Sequence, residues 1–145
     1  MSKKDWKIRA AQAQDLSFIY QSWLFSYSRN SEIGRSVRNS VFNAQYHHVV
    51  DKILKDAATI VACKLNDDLI IYGYLVFEPK VVHYCFVKEA FRFTGIAKDL
   101  YKTAIGKYEA GVQFTHLTKE AKAIVEKYRL LTYNPFILFK ELGDK

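Results

Sequence analysis

Hydrophobic positions along this 145-residue chain switch between two spacings. Trp6–Ala11 reads as a first strand. From Asp15 to Tyr27 the spacing becomes helical: Leu16, Ile19, Tyr20, Trp23, Leu24 and Tyr27 fall at i, i+3, i+4, i+7, i+8 and i+11. Asp15, in the first turn of that helix, complements its dipole. Ser26–Asn43 is polar and reads as a loop passing into the next helix. That helix, Val41–Asp56, places Val41, Gln45, Val49, Ile53 and Leu54 near one face. Thr59–Lys64 and Leu69–Phe77 are strand-like runs about a turn, Leu65-Asn66-Asp67-Asp68. Glu78-Pro79-Lys80 then turns the chain into Val81–Val87. Three short-linked strands predict an antiparallel meander, in which Gly73 marks a bulge or a close contact.

The stretch Val81–Tyr108 organises the rest. An apolar run ends at Val87, a polar break follows, and apolar residues then recur at Ile96, Leu100, Ala104 and Ile105. This predicts strand, tight turn and helix, with Gly95 at the junction and Thr94 as N-cap. A glycine there leaves no side chain over the first turn. The free N–H groups and the helix dipole together make an anion site. Val112–Leu117 reads as a short strand able to lie parallel to Val81–Val87. Thr118 caps a further helix with Ala121, Ile124, Val125 and Tyr128 on its apolar side, and Tyr133–Leu142 reads as a final strand with Pro135 near its start. The predicted order is β-α-α-β-β-β-α-β-α-β.

Composition adds boundaries. Half the residues are hydrophobic and 26% are charged, which suits one globular domain over 1–145 and not a disordered chain. The longest apolar run, Leu69–Phe77, is shorter than the ~20 residues a bilayer needs. No apolar segment follows the basic start, so the expected setting is the cytosol, without a membrane partner. Cys63 and Cys85 sit in strand-like runs and read as buried thiols. The net charge is +7, but the basic residues are scattered from Lys3 to Arg129, which favours a solvated surface over nucleic-acid binding. His47-His48 are adjacent on a helix and point about 100° apart, a poor metal pair; no metal is expected.

One segment carries a resemblance. Val87-Lys88-Glu89-Ala90-Phe91-Arg92-Phe93-Thr94-Gly95-Ile96-Ala97 resembles, nearly position for position, the Arg/Gln-x-x-Gly-x-Gly/Ala stretch of the GNAT superfamily, the acetyl-CoA-dependent N-acetyltransferases. Phe93 stands where that family often has glycine. Ile8-Arg9-x-Ala11-x-x-x-Asp15 resembles the usual GNAT opening, and the predicted order of elements is the family's. Thr115-His116-Leu117-Thr118 with Tyr133-Asn134-Pro135-Phe136 is loosely similar to small GNAT-type proteins of tailed bacteriophages.

The resemblance implies a mixed, mostly antiparallel α/β sheet flanked by helices. It implies an acetyl-CoA co-substrate and an amine acceptor of unread identity. Main-chain groups of Arg92, Phe93, Thr94, Gly95, Ile96, Ala97 and Lys98 would hold the CoA pyrophosphate. Phe86 and Val87 would hold pantetheine and polarise the thioester. The connection between the first two helices would border the acceptor site. Some family members use a carboxylate early in the corresponding strand, and the comparable region here, Val81-Val82-His83, has no acid. His83 is the first candidate for the base and His116 the second, each with the alternative of a hydrogen-bonded core histidine. Val125 occupies the place of the family's tyrosine acid, leaving Tyr128 or Tyr133 to substitute. The family's further terminal strand is missing: either the sheet is one strand short, or a partner such as a second copy supplies the edge. The alternative to an enzyme is a GNAT-fold binding or assembly protein with a vestigial cleft.

Overall fold

The computed structural model describes residues 4–106, 111–122 and 131–139. Six strands form one sheet in chain order: β1 (Trp6–Ala10), β2 (Ala58–Lys64), β3 (Asp67–Glu78), β4 (Val81–Val87), β5 (Val112–Phe114) and β6 (Leu131–Tyr133). Neighbours β1 to β4 run antiparallel, whereas β4, β5 and β6 run parallel. The mixed, mostly antiparallel sheet is the expected one.

Helices cover both faces. On one side α1 (Leu16–Asn30), α2 (Glu32–Ser36) and α3 (Asn39–Asp56) close over Val61, Tyr74, Val76 and Tyr84. On the other, α4 (Ile96–Ile105) buries Ile96, Leu100 and Tyr101 against Ala62, Leu75, Val82 and Val112. Alternation along the strands sends successive side chains to these two cores.

Hydroxyl pairs and rings join α1 to the sheet. Ser22 Oγ meets Tyr74 Oη at 2.9 Å, and Ser26 Oγ meets Tyr84 Oη at 2.5 Å. Trp23 stacks on Tyr84, with ring centroids 4.9 Å apart and planes 6° from parallel. Each tyrosine thereby buries a ring while keeping its hydroxyl partnered.

Arg9 and Asp15 lock the start of the chain. Asp15 is 2% exposed and takes two bonds from the Arg9 guanidinium, at 2.8 and 3.1 Å, plus the Gln12 N–H at 2.7 Å. Burial pushes its carboxyl up, but Arg9 and the Gln12 amide outweigh this and hold it below the usual range. Arg9 also reaches the Asp68 carbonyl at 2.8 Å, so one guanidinium ties β1, the entry to α1 and β3.

The structure departs from the sequence reading in several places. Ser26–Asn43 is largely helical. Ser31 donates to the Tyr27 carbonyl at 2.5 Å and accepts the Gly34 N–H at 3.0 Å, ending α1 and capping α2 with one hydroxyl. Gly34 permits this junction, since a Cβ there would stand 2.4 Å from Ser28 Cα. The Val112–Leu117 strand ends at Phe114. Among the described residues the last strand is Leu131–Tyr133, and the expected strand Tyr133–Leu142 is not one as far as Phe139, its residues 140–142 lying outside the described residues. The Asn134 side chain accepts the Phe136 N–H at 3.1 Å, Pro135 has no N–H to give a ladder, and Pro135–Phe139 winds into a 3-10 turn. Gly73 shows both suggested features: a register shift lies beside it, and a Cβ would sit 2.5 Å from the Phe86 carbonyl oxygen. Cys63 is fully buried, Cys85 is half-buried, and neither is in a disulfide. His47 and His48 bring their rings to 4.5 Å, closer than their backbone directions suggest. Both are exposed, and Asp51 pairs with Tyr20 and with Lys55.

Two predictions follow from this packing. Gly34→Ala overpacks the α1–α2 junction and costs about 1–3 kcal/mol in denaturant unfolding. Asp15→Asn leaves Arg9 without its counter-charge and costs about 3 kcal/mol at neutral pH. Because the folded carboxyl titrates below its unfolded value, that stability is present above about pH 4 and is lost as pH falls through the depressed value. Stability curves of the two proteins measured from pH 7 to pH 2 should therefore converge.

Candidate functional site

β4 and β5 share only a short ladder. Val81 pairs with Gln113 and Val82 with Phe114, and Thr115 N–H donates to the Val82 carbonyl at 3.0 Å. Beyond that point the strands part. A bulge lies at the parting: Val76 opposes Tyr84 while Phe77 opposes Val82, so His83 is an extra residue on β4. The bulge reverses the strand's parity. Val82 faces α4, whereas Tyr84 and Phe86 face α1 and α3.

The gap is a cleft of about 600 Å³ running from Ser26 and Asn30 past β4 to the start of α4. His83, Phe86, Val87, Arg92, Phe93, Gly95, Ile96, Ala97, Lys98 and His116 all line it. Thr94 belongs to the same turn.

Along β4, Lys88 N–H donates to the Tyr72 carbonyl at 2.8 Å. Antiparallel alternation then directs the main-chain groups of Phe86 toward β3 and turns those of Cys85 and Val87 into the cleft. The Val87 carbonyl is taken there by Arg92 Nε at 3.1 Å, and Arg92 Nη1 lies 3.7 Å from Glu120 across the mouth. Burial raises the Cys85 thiol to about 12, so it stays a neutral wall of the cleft.

At the start of α4 the N-cap is Gly95, with φ 100°, and not Thr94. The Thr94 hydroxyl donates back to the Phe91 carbonyl at 2.5 Å. The first helical bond is Asp99 N–H to Gly95 O, at 3.0 Å. The N–H groups of Ile96, Ala97 and Lys98 thus have no helical acceptor, and no side chain caps them among the described residues. Trp6 Nε1 donates to Asp99 at 3.0 Å and Lys4 pairs with it at 2.7 Å, so β1 fixes this first turn. Phe93 takes φ 64°, a left-handed conformation that glycine adopts without strain, and its ring is fully exposed at the lip.

At the deep end, His83 and His116 come together through Thr115. Thr115 Oγ1 lies 2.9 Å from His83 Nδ1 and 2.8 Å from His116 Nδ1. His83 Nε2 meets Glu78 Oε2 at 2.6 Å, and His116 Nε2 meets the Tyr46 hydroxyl at 2.5 Å. The His116 ring is enclosed by Trp23, Tyr27, Tyr46 and Tyr84, with centroids 4.9 to 5.9 Å away. Burial, and then neighbouring His83, lower its pKa to about 3, partly offset by the His83 backbone, so it is neutral. Burial also lifts the Tyr46 and Tyr84 hydroxyls well above their usual value and Tyr27 to about 12.

Tyr128 lies outside the described residues. Tyr133 packs on Phe114 from β6, 5.3 Å between centroids. Glu78, Thr115 and Tyr46 are the residues sequence reasoning missed. β4 has no carboxylate near its start, but one meets His83 from the end of β3, across the Pro79-Lys80 turn. Only the register of that hairpin could have pointed to it, because Glu78 opposes Val81.

No family model and no curated protein match the chain. Solved structures do. A GCN5-related N-acetyltransferase, "Aminotransferase, Class-II", from Rhodopseudomonas palustris aligns at TM-score 0.52 and 11% identity over 71% of this chain and 65% of its own length. The Salmonella typhimurium yncA structure, solved with its cofactor acetyl-CoA, aligns at 0.46 and 18% over 69% and 61%. The ribosomal-protein-alanine N-acetyltransferase of Brucella melitensis biovar Abortus 2308 aligns at 0.44 and 14% over 96% and 89%. At these identities the likeness is one of fold. The protein has a GNAT-like fold, and its match spans just under two thirds of the Rhodopseudomonas chain. No helix among the described residues is long and apolar enough to cross a membrane.

His116 predicts an acid-sensitivity signature. Folding keeps it neutral down to about pH 3, while the unfolded chain protonates it near 6.5. The unfolded state therefore binds the extra proton between those values, and native stability falls as pH drops through that window. In His116→Gln the slope of unfolding free energy against pH between 6.5 and 3 should be shallower by about one proton.

Proposed function

We propose that the protein transfers an acyl group from acyl-CoA to an amine. The observation that carries this is the parting of β4 and β5 after Val82, which leaves an extended apolar slot ending on uncapped helical N–H groups. A pantetheine arm would lie in the slot as an extra strand. The outward main-chain groups of Cys85 and Val87 would hold it, with Arg92 giving up the Val87 carbonyl as the arm enters. The CoA pyrophosphate would sit on the N–H groups of Ile96, Ala97 and Lys98, with Arg92, Phe93, Thr94 and Gly95 forming the turn around it. When bound, acyl-CoA supplies the activated thioester.

The chain's own part is then positioning and proton removal. An aliphatic ammonium has an unperturbed pKa near about 10.4, so a base is needed at neutral pH. His83 is the proposed base and Glu78 its carboxylate partner. The acceptor would enter from the side where Ser26 and Asn30 of α1 border the cleft. A second reading, CoA-fold binding without turnover, is favoured by Phe93, whose ring stands at the lip where close approach of phosphates is needed.

Acetyl-CoA should raise the melting temperature, by the equivalent of about 2.7 kcal/mol at a hundredfold excess over Kd. Gly95→Glu should abolish that shift, since it adds bulk, strain at positive φ and negative charge at the phosphate position. A retained shift in the variant would remove the pocket assignment. A shift in the native protein without turnover across an amine panel would select the binding-only reading.

A further inference from the structure

The five groups at the deep end of the cleft form an unbroken chain of hydrogen bonds: Glu78, His83, Thr115, His116 and Tyr46, at 2.6, 2.9, 2.8 and 2.5 Å. The links come from β3, β4, the end of β5 and α3. The three central side chains are at most 4% exposed, while the Glu78 side chain is 25% exposed. The end residues Glu78 and Tyr46 are each only half-buried, so the row runs through the interior between two partly exposed ends.

Donor counting restricts how hydrogens fill it. Glu78, as a carboxylate, only accepts, so His83 Nε2 carries a proton. A threonine hydroxyl has one proton and gives it to one neighbour. If His83 is neutral, its Nδ1 must accept from Thr115. Thr115 then accepts His116 Nδ1–H, and His116 Nε2 accepts the Tyr46 O–H. If His83 is protonated, its Nδ1–H points to Thr115. The Thr115 proton then turns to His116 Nδ1, and His116 must carry its single proton on Nε2, donating to Tyr46. His116 is neutral in both arrangements, in keeping with its depressed pKa.

We propose that these residues act as one proton relay, in which protonation of His83 flips His116 from its Nδ1–H to its Nε2–H tautomer through Thr115. As machinery for acyl transfer the relay rests on the function proposed above; the tautomer coupling does not. Tyr46 does not itself line the cleft, but its hydroxyl lies 2.5 Å from Nε2 of His116, which does; in the reaction, the acceptor ammonium would lose one proton to the Tyr46 oxygen there. The Tyr46 proton moves to His116 Nε2, the His116 Nδ1 proton to Thr115 Oγ1, and the Thr115 proton to His83 Nδ1. The result is a free amine and an imidazolium beside the Glu78 carboxylate, which passes the proton to water. His83 and Tyr46 are the relay's ends of chemistry, and Thr115 and His116 position and conduct between them.

Among the described residues, the titratable groups facing the relay are Glu78 from β3, Tyr84 and Cys85 from β4, Tyr27 from α1 and Tyr46 from α3, with Tyr133 from β6 and Glu120 acting on these tyrosines from further off. Tyr27 and Tyr84 stay protonated throughout, being held far above neutrality, which leaves His83, Glu78 and His116 to respond. His47 and His48 are exposed on α3 and serve as internal controls.

The test is 15N imidazole NMR of the full chain across the titration of His83. The expected result is that His116 exchanges its Nδ1–H for an Nε2–H pattern with the midpoint of His83, without becoming charged. Thr115→Val should uncouple the two rings and Thr115→Ser should restore the coupling. A His116 tautomer that stays fixed while His83 titrates overturns the relay, as does full coupling in Thr115→Val. With acetyl-CoA and an accepted amine, Thr115→Val should lower kcat about a hundredfold while keeping the CoA-induced melting shift, and Thr115→Ser should recover most of it. An unchanged kcat in the valine variant overturns the relay's part in transfer. A native protein that shows the tautomer flip but no turnover refutes the acyl-transfer reading and leaves the relay standing.

Discussion

The sheet cannot close at one place, and most of the molecule's organisation follows from that. A parallel ladder between β4 and β5 starts at Val81 and Val82, then meets an extra residue in β4. An inserted residue twists its strand and leaves main-chain groups unmatched. β5 also stops being a strand at Phe114, because Thr115 and His116 commit their side chains to the buried polar row beside α1 and α3. Among the described residues, β4 beyond Val82 then has no strand partner along its inner edge. In an ordinary sheet this would be a defect needing a cover. Here it is walled by helices on both faces, which turns an unfinished ladder into a slot.

The helices that wall the slot are positioned by polar contacts inside apolar packing. α1 is held through tyrosine hydroxyls that meet serines one turn apart, Ser22 and Ser26. α4 is held from the far edge of the sheet, where Trp6 and Lys4 converge on Asp99. Partly or wholly buried hydrogen bonds such as those of Ser22, Ser26 and Trp6 fix a helix's rotation and not merely its distance, because each hydroxyl or indole N–H must find its own acceptor. The ends of the slot are thus set by residues remote from it in sequence.

Much of this was legible before the structure. The helical spacing of Ile19, Trp23 and Tyr27, the strand–turn–helix about Gly95, and the meander through Glu78-Pro79-Lys80 all follow from local rules. Asp15 read only as a partner of the helix dipole; its ion pair with Arg9, which ties strand, turn and helix, emerged from the structure. What was not legible depended on register and on single hydroxyls. Ser31 turns an apparently loop-like polar run into two helices by serving as acceptor and donor at once. Asn134 and Pro135 convert the apolar run Phe136-Ile137-Leu138-Phe139 from strand to 3-10 turn. The meeting of Glu78, Thr115 and Tyr46 with the two histidines depends on tertiary placement, including a one-residue slip between β3 and β4 at His83, which no periodicity reports.

The two tryptophans stand at opposite ends of the slot. Trp6 touches the space over Gly95, 4.0 Å from where a Cβ would be, and Trp23 lies stacked on Tyr84 beside His116. Their surroundings differ sharply: the first borders a solvent-facing turn with a carboxylate on its indole nitrogen, and the second is wholly enclosed by rings. The chain therefore carries a pair of native optical reporters, one beside the uncapped start of α4 and the other at the histidine end, so that changes at each end could be told apart by intrinsic emission without any label.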